Sequence, residues 1–360
     1  MSKKIFGVLC LALLACGVPA ALAAEAAAPP AGKEADMSKP VQVYILLGQS
    51  NMVGAGKVAG DKDSTLEYAV KNKKKYPYLV DDAGAWTERK DVRYVRVMAS
   101  GAGPAKPFNN EWMTVKGNSI GPELGIGHYV GDATEAPVMI LKSCIGNRSL
   151  GWDLLPPGSQ RFEAEVTDKQ GKKVTKVFAG YKDSPDSWDK GTEPKPIGWT
   201  AGCQYDGDVA GAKNVLSELD KHYPGATKYE VAGFFFWQGD KDRYNAVHAA
   251  NYEKNLVNFI KALRKDFNAP NAKFVCATLG QTKKDDASNP NEKMILEAQL
   301  AVDGNSGKYP EFKGTVATVY TNPLSMGGAS NGHYGGNAET YMNVGEGMGK
   351  AMVELLKDNK

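Results

Sequence analysis

The sequence has little of what metal or redox chemistry depends on. Four histidines are scattered over 360 residues. There is no HExxH string and no CxxC pair, so no segment carries zinc-ligand spacing and no metal is expected. Of the five cysteines, only Cys144, Cys203 and Cys276 lie beyond the N-terminal segment. An odd number cannot all pair internally; Cys144 with Cys203 is a candidate disulfide, and Cys276, inside KFVCATL, reads as a buried core thiol. An excess of one charge is also missing, with 44 Lys and Arg against 41 Asp and Glu. That balance gives no basis for nucleic acid or an anionic membrane surface as partner. The Gly-rich GAGKVAG lacks the spacing and GK[ST] ending of a phosphate-cradling loop. Past the N-terminus no apolar run approaches the ~20 residues of a spanning helix, so no integral membrane segment is expected after processing.

At the N-terminus, Lys3 and Lys4 precede the apolar run Ile5 to Ala15, and Ala21-Leu22-Ala23 follows as an A-x-A site. Residues 1–23 therefore read as a signal peptide, and the protein is expected to be secreted or periplasmic. A second route is open: Leu13-Leu14-Ala15-Cys16-Gly17 resembles a bacterial lipobox, which would leave the chain lipid-anchored through Cys16. Residues 24–39 are Ala- and Pro-rich without apolar periodicity and read as a flexible linker.

The remainder, 40–360, alternates apolar runs with helical patterns. Strands are expected at Val41 to Leu47, Pro137 to Leu141, Tyr229 to Trp237, Lys273 to Leu279 and Thr315 to Tyr320. Helices are expected at Gly121 to Tyr129, Asp208 to His222, Ala246 to Phe267, Asn291 to Val302 and Ala338 to Leu356. In the third of these, Tyr252, Leu256, Phe259, Ile260 and Leu263 share one face. Such alternation implies one α/β domain with a parallel sheet covered on both faces. Two Gly-, Pro- and Trp-rich stretches, about 55–116 and 151–207, interrupt it and are placed as loop insertions around a site. The second contains an expected β-hairpin, Phe162 to Val166 with Val174 to Phe178.

The first strand ends at Gly48 and delivers Ser50 into a polar turn, where a parallel sheet forms its ligand sites. Ser50 reads as a nucleophile or, more plainly, as a helix N-cap. A serine nucleophile needs a base. His128 and His248 lie within helical patterns and His222 at a helix end, whereas His333 alone lies in an irregular loop, GGASNGHYGGN.

Four strings carry a family resemblance: Gly48-Gln49-Ser50-Asn51-Met52; Lys142 to Leu150, KSCIGNRSL; Phe234 to Asp240, FFFWQGD; and the His333 loop. In this order they resemble the sialate O-acetylesterase branch of the SGNH hydrolases, which includes carbohydrate esterase family six. The resemblance implies a three-layer α/β/α sandwich with a central parallel, flavodoxin-like sheet. It also implies a secreted carbohydrate O-acetylesterase in which Ser50 attacks, His333 shuttles the proton and an acetyl-enzyme forms, with no cofactor. A general short-chain esterase or acyltransferase at the same site is the alternative, as is a catalytically weakened carbohydrate-binding protein.

The common pattern has Asp three residues before the histidine, and here that position is Ser330. Asp240 stands where the block of Trp237, Gln238 and Gly239 is usually followed by Glu, and is the candidate acid; Asp242 is the runner-up, and a dyad without any acid is the third reading. The implied oxyanion donors are the Ser50 amide, the Gly146 amide and the Gln238 side chain. Asn147 replaces a second glycine, and with Trp152 and Tyr205 it is a candidate contact to an acetylated carbohydrate. Trp188 and Trp199 are further aromatic candidates for sugar stacking.

Overall fold

The computed structural model of the protein describes residues 33–286 and 288–357. The expected signal peptide, Cys16 and the first part of the expected linker lie outside the described residues. Residues 33–39, the end of that linker, are held in place: the Asp36 amide donates to the Glu135 carbonyl at 2.7 Å and the Lys33 ammonium to the Gly131 carbonyl at 3.2 Å.

Seven strands form the central sheet: β1 (Val41–Gly48), β2 (Val92–Met98), β3 (Lys106–Trp112), β4 (Val138–Ser143), β5 (Tyr229–Trp237), β6 (Lys273–Ala277) and β7 (Val316–Val319). Their spatial order is β7-β6-β5-β1-β4-β2-β3. Every pairing is parallel except β2 with β3. The main helices are α1 (Glu123–Asp132), α2 (Cys203–Ser217), α3 (Ala246–Asp266), α4 (Pro290–Ala301) and α5 (Ala338–Lys357). None of the described helices is long and apolar enough to cross a membrane.

Successive strand residues point to opposite faces, and here both faces are apolar. Val43, Ile45 and Leu47 of β1 join Phe234 and Phe236 of β5 in one cluster with Val209 of α2, Tyr252, Leu256, Phe259, Ile260 and Leu263 of α3, and Ile295 of α4. Tyr44 and Leu46 join Phe235 and Trp237 in a second cluster, with Leu124 and Ile126 of α1 and Tyr341, Met342 and Met348 of α5. A strand buried on both faces reads as a continuous apolar run, which is why β1 and β5 are visible in the sequence.

The stretch 55–116 is not wholly an insertion, because it supplies β2 and β3. Its strand VRYVRVM is broken by Arg93 and Arg96, so it lacks that continuous run. Their guanidinium groups lie over aromatic rings instead, Arg93 over Trp112 at 4.9 Å and Arg96 over Phe108 at 5.1 Å. Their stems cover apolar surface, and the buried Arg93 guanidinium donates to the His222 carbonyl at 2.9 Å and to Asn110 at 2.7 Å. The hairpin in 151–207 is present as Phe162–Thr167 against Lys173–Phe178, with Ser187–Asp189 added as a third strand. Cys144, Cys203 and Cys276 are all free. Cys144 packs in the cluster shared with α5, whereas Cys203 opens α2, whose apolar face belongs to the other cluster. That separation removes the candidate disulfide. Burial pushes the Cys144 thiol up to about 12, and the Cys276 thiol is also raised by burial.

The 151–207 excursion is pinned to α3 by a buried imidazole. His248 Nε2 lies 3.0 Å from Asp186 Oδ1. Burial opposes its charge, but the Asp186 bond, with Asp242 and Asp153 nearby, holds its pKa above the ordinary histidine value. A pKa raised in the folded state gives stability that is complete below the unfolded value of about 6.5 and is lost as pH rises through the folded value. Asp186→Asn should therefore cost most stability below about pH 6.5. In urea melts from acid to alkaline pH its difference from wild type should shrink as pH rises; a constant difference would contradict the linkage.

Candidate active site

The chain places β2, β3 and β4 on one side of β1 and β5, β6 and β7 on the other, so β1 lies where strand order reverses. In an open α/β sheet the carboxyl ends of the strands at such a point form the binding crevice. Gly48 ends β1 opposite Trp237. It has φ +144°, and a Cβ there would lie 2.3 Å from the Trp237 carbonyl oxygen. Only glycine permits this approach, which turns the chain into the helical turn Ser50–Val53.

Ser50 is half-buried at the start of that turn. Gly146, in the loop after β4, stands against it: a Cβ on Gly146 would be 3.4 Å from Ser50 Cβ. Among the described residues neither the Ser50 nor the Gly146 amide has a hydrogen-bond partner, so both donors are uncommitted. The far end of the turn is braced from beneath. Lys142, fully buried on β4, donates to the Val53 carbonyl at 3.1 Å and to Glu123 at 2.5 Å. Glu123 in turn accepts the Gly121 amide at 2.9 Å, so each charge is paired and bonded as burial requires.

The His333 loop packs onto the same turn. Asn51 Nδ2 donates to the Ser330 carbonyl at 3.4 Å, and the Tyr341 hydroxyl of α5 lies 3.4 Å from both Asn51 Oδ1 and the His333 carbonyl. His333 and Tyr334 have φ of 50° and 53°, a left-handed backbone that costs about 1–3 kcal/mol at a non-glycine residue. The Tyr334 ring holds this conformation. It is buried and stacks on Trp237 at 5.7 Å, and its hydroxyl accepts the Gly280 amide at 3.1 Å. Within the described residues no hydrogen bond joins the His333 ring to Ser50 or to any carboxylate.

Asp240, just past β5, lies beside the position where the resemblance expects an acid. Ser330 Oγ donates to Asp240 Oδ1 at 2.5 Å, and Arg243 Nε donates to the same oxygen at 2.9 Å. Asp242 is directed elsewhere. It is fully buried and accepts the Leu150 and Gly151 amides, each at 2.8 Å. Burial raises its carboxyl above the usual range, against the pull of His248 and these bonds.

Gln238 is 1% exposed. Its amide nitrogen has three acceptors, Asp242 at 2.6 Å, the Arg148 carbonyl at 2.8 Å and Gln49 Oε1 at 3.1 Å, while its oxygen accepts the Tyr252 hydroxyl at 2.8 Å. An amide group has two hydrogens to give. Both have acceptors inside the fold, so Gln238 locks the β1, β4 and β5 loops together instead of offering an open donor.

Asn147 is exposed beside Gly146, with φ 57°. Tyr205 is 2% exposed, its ring against Phe259 and its hydroxyl on Asp266 at 2.7 Å. It is a core residue with nothing to present to a sugar. Trp152 and Trp188 pack on a small cluster of Leu155, Ala179 and Ala201 beneath the hairpin. The structure thus gathers Ser50, Gly146, Asn147, Gln238, Asp240 and the His333 loop at the carboxyl end of the sheet and leaves Trp152 and Tyr205 in packing roles. Asn51 and Tyr341 join the group unannounced. Asn51 sits inside the GQSNM string, but Tyr341 carries no signal beyond its place on the apolar face of α5.

Replacing Gln238 takes the acceptor from the buried Tyr252 hydroxyl and removes one of three donors to the buried Asp242 carboxylate. Gln238→Ala should lower unfolding stability by about 2–4 kcal/mol in urea; an unchanged midpoint would show that its bonds are dispensable.

A family description, carbohydrate esterase, sialic acid-specific acetylesterase, matches residues 40–131 and 189–354. Solved structures resembling this chain include a protein from Arabidopsis thaliana, 17% identical over 87% of this chain and 98% of that one, with a TM-score of 0.46. Another, titled a novel carbohydrate acetylesterase from Xanthomonas citri, is 13% identical over 86% of this chain and 55% of that one, with a TM-score of 0.47. NanS is 13% identical over 81% and 80%, with a TM-score of 0.41. A comparison with curated proteins found no match. The family match spans well over half of the chain and takes in the Ser50 turn, the Gln238 and Asp240 loop and the His333 loop, and on that ground the chain belongs to the carbohydrate esterase, sialic acid-specific acetylesterase family.

Proposed function

We propose that this carbohydrate esterase is a secreted O-acetylesterase, a three-layer α/β/α sandwich of the SGNH type that removes acetyl groups from sugars through Ser50. The observation that carries the reading is the convergence of the Ser50 turn, the Gly146 loop and the His333 loop at the carboxyl end of β1. Ser50 Oγ attacks the acetyl carbonyl carbon while His333 takes its proton. The Ser50 and Gly146 amides receive the oxyanion, where each donor is worth about 3 kcal/mol. Collapse expels the sugar hydroxyl with the proton from His333 and leaves an acetyl-enzyme. Water, deprotonated by His333, releases acetate and restores the serine. Asp240 supports the His333 loop through Ser330 and acts at a distance from the reacting atoms. The leader in residues 1–23 directs export, with lipidation at Cys16 as the other outcome of processing.

Acetate release from acetylated sugars and glycans tests this. Ser50→Ala should lower kcat at least a thousandfold; retained activity would end the mechanism. Asp240→Asn should lower kcat about tenfold or more. Ser330→Asp alone sets two carboxylates side by side and should not help, since like charges at that distance cannot both ionise freely. The pair Asp240→Asn with Ser330→Asp should recover part of the loss. Binding of acetylated sugar by wild type with no release of acetate would instead favour a carbohydrate-binding protein.

A further inference from the structure

The loop that carries Gly146 is fixed by two buried carboxylates. Asp153 accepts the Ser149 amide at 2.7 Å and the Ser149 hydroxyl at 2.9 Å. Asp242 takes the Leu150 and Gly151 amides, one on each oxygen, both at 2.8 Å. The Gly151 backbone in turn lies against the His248 ring, so closely that a Cβ there would be 2.5 Å from the imidazole Cγ. The mechanism gives His248 no task, yet it stands where this loop, the turn after β5 and the 151–207 excursion meet.

Three carboxylates among the described residues act on this imidazole. Asp186 of the excursion lies 3.0 Å from Nε2, and Asp242 and Asp153 add their charges from the turn after β5 and from the loop itself. Burial in the first turn of α3 opposes a cation, so the charge on His248 comes from these anions, which hold its pKa above the ordinary histidine value. The dependence is mutual. Burial pushes the Asp242 carboxyl up, and the His248 charge is foremost in opposing that rise. Without the cation Asp242 takes up a proton more readily. A protonated carboxyl has an O–H of its own to place, and its bonds to the Leu150, Gly151 and Gln238 N–H groups lose their charge assistance. Asp153 and Asp186 lie between the two stretches that match the family, so membership does not supply this arrangement.

We infer that the His248 imidazolium is a positioning group: as counter-ion to Asp242 it keeps the Leu150 and Gly151 amides anchored and so holds Gly146 beside Ser50. The inference rests on the reading of the Gly146 amide as an oxyanion donor in a Ser50 esterase. His248 acts through the loop and not on the substrate. Its effect follows its charge, so it is in place at low pH and is lost as pH rises through the folded value, above about 6.5.

The test reads the loop and the reaction separately. In wild type, protection of the Leu150 and Gly151 amides against hydrogen exchange should fall about tenfold as the His248 ring loses its proton, both followed by NMR. In His248→Gln it should be low at every pH. Acetate release should show kcat falling about tenfold over the same pH range with little change in KM, because an oxyanion donor acts in the transition state. His248→Gln should lack that alkaline limb and stay at the lower level, and His248→Lys, which keeps a cation, should recover part of kcat. Amide protection indifferent to the His248 titration would overturn the inference, and this wild-type measurement holds even where His248→Gln does not fold. Equal losses of kcat in the Gln and Lys variants, with the alkaline limb still present, would reduce His248 to packing and overturn it as well. Amide protection that follows the His248 charge, with no acetate released from any sugar, would support the positioning role and sink the esterase reading.

Discussion

The site depends on the approach of two strands at one glycine. Where β1 ends, the Gly48 backbone lies so close to the Trp237 carbonyl that a methyl group cannot be inserted. That contact sends the chain into the Ser50 turn at the level where β5 delivers Gln238 and Asp240. A larger residue would push the turn away from the sheet and uncouple Ser50 from its neighbours. Trp237 works in two directions, because its carbonyl meets Gly48 while its ring carries Tyr334 and through it the strained His333 backbone.

Around this contact lies a layer of buried polar bonds that would be costly if incomplete. Gln49, Gln238, Asp242 and Tyr252 satisfy one another and the amides of Leu150 and Gly151. Lys142 and Glu123 do the same beneath the turn. These bonds join loops far apart in sequence, so the geometry at Ser50 is a property of the whole sheet edge. The same logic extends outward to Arg148, whose orientation is set by Gln204 from another helix and by Trp199 from another loop.

Much of the sheet was legible because strands buried on both faces read as apolar runs, and α3 because its apolar residues recur at helical spacing. β2 was not legible, since Arg93 and Arg96 break its run and become intelligible only once Trp112 and Phe108 lie beneath them. At the site, the strings around Ser50, Gly146, Asp240 and His333 name loops that the fold brings to the carboxyl end of the sheet. The motif also named Gln238, but no local pattern shows that its hydrogens are already taken. Tyr205 carries the same ambiguity, for a tyrosine beside Trp-rich loops reads alike whether its ring faces solvent or Phe259.

By itself the sequence determined the kind of chain this is: an alternating α/β domain, a serine turn after an apolar strand, one histidine in an irregular loop, and no spacing suited to a metal. Those properties are local, carried by runs, spacings and single residues. Only the tertiary structure decided which groups meet. Asp240 touches Ser330, Asp242 turns to the Leu150 and Gly151 amides, Cys144 and Cys203 stay apart, and Arg148 lies over the Trp199 ring. Each is a relation between segments tens to hundreds of residues apart. It is set by strand order and by the need to pair every buried polar group, which no short stretch of sequence encodes.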